Sequence, residues 1–111
     1  MKTFDEMKRI VNEWASTHTD VKVESEITNA LPDYDVPETL MITVEDANDE
    51  TKYISFHVSN ANTWINVSPN RHMTHPIYVN AVDESDDMDE NESERLNAYA
   101  DTIIDHIRKG A

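Results

Sequence analysis

The sequence contains no cysteine and a single glycine, Gly110. Without cysteine there are no disulfides, no thiolate metal sites and no cysteine nucleophile. Phosphate-cradling loops and dinucleotide fingerprints need glycine where backbone approaches a phosphate, so their usual forms are excluded as well. No segment approaches the roughly 18 consecutive apolar residues that a spanning helix requires. Met1–Glu6 lacks the apolar stretch of a signal peptide, and the expectation is a soluble, cytoplasmic protein without membrane association. Basic residues are also scarce. Nine lysines and arginines are scattered through the chain and form no basic stripe, so direct nucleic-acid binding is not expected.

What the sequence has in excess is acid. Twenty-three aspartates and glutamates against nine basic residues give a formal net charge of -14 in 111 residues. The densest stretch is Asp83-Glu84-Ser85-Asp86-Asp87-Met88-Asp89-Glu90-Asn91-Glu92. Such a surface repels nucleic acid and anionic membrane, and it attracts cations and basic proteins. The length is that of one domain, residues 1–111. A hydrophobic content of 38% supports one modest core rather than a disordered chain.

Periodicity outlines the architecture. Thr3 and Glu6 have capping-box spacing, and Phe4, Met7, Ile10, Val11 and Trp14 recur at helical intervals, which predicts a helix from about Phe4 to Thr17. Val21–Ile27 alternates apolar and polar residues as a half-buried strand does, with Lys22, Glu24 and Glu26 outward. Pro32 and Pro37 mark Asn29–Pro37 as a loop. Leu40, Ile42 and Val44 predict a second strand. Lys52–Ser59, with Ile54, Phe56 and Val58 inward, predicts a third, and Asp46–Glu50 is read as the turn between them. Trp64–Val67 reads as a short fourth strand, Ser68–Pro76 as a loop and Ile77–Val82 as a fifth strand. Residues 83–92 then read as an acidic linker before a helix from about Ser93 to Lys109, capped by Asn91 and Glu94. Its expected stripe is Leu96, Tyr99, Ala100, Ile103 and Ile107. Short links favour an α+β domain of two layers, in which a five-stranded antiparallel meander carries both helices on one face.

Four features bear on function. From Asp83, calcium-loop positions fall at Asp83, Ser85, Asp87, Asp89, Asn91 and Glu94, but Met88 stands where the sharp turn needs glycine. A solvated linker whose later acids favour the positive end of the following helix accounts for the run equally simply. His72 and His75 have ligand spacing within a proline-flanked loop that fixes no geometry. His18 and His106 near helix ends suit the carbonyl end of the dipole. Carboxylates are abundant but lie on predicted polar faces, nothing marks an activated serine, and neither an enzyme nor a cofactor or metal is expected. Finally, strand parity sends Met41, Tyr53, His57 and Trp64 to the sheet face away from the helices, and Tyr78 with them. Aromatic and apolar groups on a face that is ordinarily polar suggest a contact surface, for self-association as a homodimer or for another protein.

These features predict a non-catalytic, acidic protein-binding module acting on a basic partner, as an inhibitor, an immunity-type protein or a nucleic-acid mimic. Met41, Tyr53, His57, Trp64 and Tyr78 would supply contact, and Asp83, Asp86, Asp87, Asp89 and Glu90 attraction. The competing expectations are that the acidity serves solubility or growth in high salt, or that residues 83–94 bind calcium.

Overall fold

The computed structural model describes residues 3–28, 33, 38–59, 78, 79 and 83–109. Helix α1 (Phe4–Ser16) begins where the Thr3 hydroxyl accepts from the Glu6 amide at 3.1 Å and the Thr3 carbonyl accepts from Met7 at 3.0 Å. One capping side chain thus satisfies an amide that the first turn leaves without a partner. The helix buries Met7, Ile10, Val11 and Trp14 along one stripe.

Strands β1 (Val21–Thr28), β2 (Thr39–Asp46) and β3 (Asp49–Ser59) form an antiparallel path in that order. A tight turn at Ala47–Asn48 joins β2 to β3, with the Asn48 amide on the Asp46 carboxylate at 2.8 Å. The short side chain thereby takes the place of a backbone turn bond. Pairing sets Leu40 beside Val58, Ile42 beside Phe56 and Val44 beside Ile54, all six fully buried. Strand alternation places them on one face, and α1 and α2 (Glu90–Lys109) close over it in a single hydrophobic cluster. The domain is α+β. No helix among the described residues is long and apolar enough to cross a membrane.

Beyond β3 the expected order changes. The neighbours of β3 are β4 (Tyr78–Val79), opposite Ser59 and Val58, and β5 (Asp83–Glu84), opposite Ser55 and Ile54. The two pieces lie along the same edge of β3 with a one-residue slip between them, so the sheet is four strands wide. The expectation that residues 64–67 continue a meander from β3 is replaced by this pairing. Those residues lie outside the described ones. Alternation gives a strand's existence but not its neighbour, and consecutive strands adjoin only about two-thirds of the time.

The 83–92 linker is also corrected. Asp83 and Glu84 are strand, and α2 starts at Glu90 rather than Ser93. The cap is Asp89, whose carboxylate accepts from the Glu92 amide at 2.9 Å while its carbonyl accepts from Ser93 at 3.0 Å. Glu90 and Glu92 then sit in the first turn, where the helix end favours negative charge. The buried stripe of α2 is Leu96, Ala100, Ile103, Ile104 and Ile107. Tyr99, expected inside, packs at the rim with its hydroxyl donating to Asp20 at 2.7 Å. A buried phenol needs such a partner, and the rim is where one is within reach.

Candidate protein-interaction site

The acid run is built into the fold through half its length. The Ser85 amide donates to the Tyr53 carbonyl at 3.0 Å and the Ser85 hydroxyl accepts from the Tyr53 amide at 3.1 Å, which extends the β5 edge. Glu84 accepts from the Ser93 hydroxyl at 3.0 Å and from the Asn97 side-chain amide at 2.7 Å, tying the strand to the first turns of α2. Glu92 pairs with Lys52 at 3.0 Å, and Asp89 is spent on the cap. The side chains of Asp86, Asp87 and Glu90 are exposed and bond to no described residue. Of the twelve positions read as a calcium loop, Asp83 and Glu84 are strand and residues 90–94 are helix. Among the described residues no three histidine, aspartate or glutamate side chains are grouped to hold a metal.

On the outer sheet face the register sets Met41 directly opposite His57, with Glu26 on the other side of Met41. Tyr53 lies further along β3, opposite Glu45, and is 38% exposed. Asp83 pairs with Ser55, which lies between Tyr53 and His57 on this face, so the acid run joins the face at Asp83. The side chains of Trp64 and Tyr78 lie outside the described residues, as do His72 and His75; for Tyr78 the structure gives the backbone pairing with Ser59.

The outer face also holds a polar row that alternation alone does not reveal. The Thr28 and Thr39 hydroxyls bond to each other, and the Thr39 hydroxyl lies 3.2 Å from His57 Nδ1. Thr39 and Ser59 are each 2% exposed, and the Ser59 hydroxyl is directed at the Glu38 carbonyl, 3.5 Å away. Burial holds the His57 ring below the usual histidine range, and the Asp83 charge pulls weakly the other way. This end of the face is hydrogen-bonded structure. The part around Met41, Tyr53 and Asp83 is the more exposed end of the face.

Sequence reasoning missed a second polar cluster, at the end where α1 meets β1. Arg95 reaches from α2 to Asp20 at 3.0 Å and to Asp46. Tyr99 completes the cluster on Asp20. His18 stacks on Trp14 with ring centroids 3.7 Å apart, and it donates from Nδ1 to the Trp14 carbonyl at 2.7 Å, the helix-end role expected of it. Residues 20, 46 and 95 are far apart in sequence, and no local pattern announces their meeting.

No family model matches the chain, and no curated protein or solved structure is significantly similar to it.

Proposed function

We propose that this chain is a non-catalytic protein-binding module that captures a basic protein, with the acid run attracting it and the outer sheet face providing contact. The supporting observation is how the cations are used. Arg9, Lys52, Arg95 and Lys109 each pair with a carboxylate of the chain itself, whereas Asp86, Asp87 and Glu90 stand exposed where β5 passes into α2, without a described side-chain partner. Negative charge left over after internal pairing is what an approaching cationic surface meets. Glu90 and Glu94 carry the acid onto the exposed side of α2. The partner is a basic protein, and self-association through the sheet face is the secondary mode.

A dodecalysine peptide tests where attraction resides. In calorimetry at low salt, the Asp86→Asn/Asp87→Asn/Glu90→Gln variant should bind it about tenfold more weakly than wild type, at a few tenths of a kcal/mol or more per lost charge. A control variant, Asp5→Asn/Glu6→Gln/Glu38→Gln, removes the same charge elsewhere and should change affinity by less than about twofold. Equal weakening by both variants would reduce the acid run to one part of an undifferentiated charged surface.

A further inference from the structure

We infer that the edge of β1 away from β2 is a strand-docking groove for an extended segment in which basic and apolar residues alternate. This rests on the reading that the chain associates with a basic protein, but it places contact at the sheet's edge, which shares Met41 with the outer face, and by a different force. The Ala47 amide donates to the Asp20 carbonyl at 3.1 Å, which makes residues 20 and 47 a bonded antiparallel pair. Alternation from that pair directs the backbone groups of Lys22, Glu24, Glu26 and Thr28 toward β2. Those of Val23, Ser25 and Ile27 therefore point away from the sheet. Among the described residues, β1 pairs with β2 alone.

Alongside this edge runs a groove of about 380 Å³, with Lys8 and Asn12 of α1 on one wall and Glu24, Glu26, Met41 and Thr43 on the other. An edge strand beside a helix is the geometry in which an added strand gains backbone hydrogen bonds while its side chains are read alternately on two sides. From Val23 to Ile27 the edge spans about 13 Å, enough for a strand of about five residues.

The two walls specify the occupant. Glu24 and Glu26 are exposed, form no ion pair with a described residue and face the outer side, where they match cationic side chains. On the α1 side Val23 is half-buried and Ile27 is 41% exposed, which suits apolar side chains. Lys8 stands on that same wall and repels a cation placed there. A uniformly basic segment therefore fits worse than an alternating one.

Amide-resolved NMR with the hexapeptide Lys-Val-Lys-Val-Lys-Val tests this, alongside the same peptide methylated on every backbone nitrogen. Methylation keeps the charge and removes the donors of strand pairing. The expected result is that the Val23, Ser25 and Ile27 amides shift and gain protection from hydrogen exchange, and that methylation weakens binding about tenfold or more. Ser25→Pro removes an edge donor at a position where a strand tolerates proline, and it should abolish binding with the fold retained. Equal binding of both peptides, with shifts confined to Asp86–Glu90, would overturn strand docking and leave the acidic attraction standing. Absence of binding by either peptide at low salt would overturn both.

Discussion

Phe56→Ala should lower the free energy of unfolding by about 3–5 kcal/mol, read from the midpoint of a urea transition. Phe56 is fully buried, sits opposite Ile42 in the register and lies at the centre of the cluster that both helices close over. Truncation removes the transfer free energy of the ring and leaves a cavity that rigid strand neighbours cannot fill. For a domain whose total stability is on the order of 5–15 kcal/mol, this is a large share, and the variant should be partly unfolded at physiological temperature. Tyr53→Ala is the matched comparison. Three residues away on the same strand but on the opposite face, it should change stability by no more than about 1 kcal/mol. A large loss at both positions would mean that the outer face is core and unavailable to a partner.

Arg95→Met should cost about 1–2 kcal/mol at neutral pH, and that cost should disappear in acid. Arg95 holds Asp20 and Asp46 together, and its side chain is 34% exposed where that of Asp46 is 18% exposed, so solvent screening trims the pair toward the lower end of the range. Without the guanidinium two carboxylates from different turns face each other unneutralised. Both carboxyls lie below their ordinary range. For Asp20 the Tyr99 hydroxyl is the largest cause and Arg95 adds to it; for Asp46 the Asn48 amide leads and Arg95 follows. A carboxyl depressed in the folded state contributes stability above its unfolded value of about 3.9 and loses it as pH falls through the lower folded value. The difference between wild type and variant should therefore be full at neutral pH and close as pH falls below about 4. A difference that persists in acid would assign the effect to packing of the arginine stem over the rim.

Much of this architecture was legible because strand and helix periods differ and the apolar residues keep to them. The inward columns of β2 and β3 and the stripe of α1 fall where alternation and helical spacing put them. The placement of Met41, Tyr53 and His57 on the outer face follows from the same parity and the observed register. Legibility failed where side chains act at a distance. Asp89 is indistinguishable from its acidic neighbours until the Glu92 amide is placed on it. The pairing of β3 with Tyr78–Val79 and Asp83–Glu84 depends on which edge the returning chain meets, and alternation carries no such information. The threonine row under His57 and the clasp of Arg95 on two aspartates join residues with no sequence relation. Tyr99 was expected inside because helical spacing records a ring's position on the stripe but not the demand of its hydroxyl.

Acidity carries the functional reading, and it separates into two parts. Glu84 and Glu92 are consumed in holding α2 to the sheet and Asp89 in capping it, so their removal costs stability. Asp86 and Asp87 make no side-chain contact with a described residue and Glu90 adds only its charge at the positive end of α2, and a basic partner is the role we propose for this exposed charge. The direct measurement is affinity recovery of bound proteins from native-source lysate at low and at high salt, with wild type and with Asp86→Asn/Asp87→Asn/Glu90→Gln, identified by mass spectrometry. The account predicts a basic protein that wild type retains at low salt, that high salt releases and that the variant fails to hold. Recovery of nothing beyond the chain itself, or of a partner held equally by the variant in high salt, would contradict it.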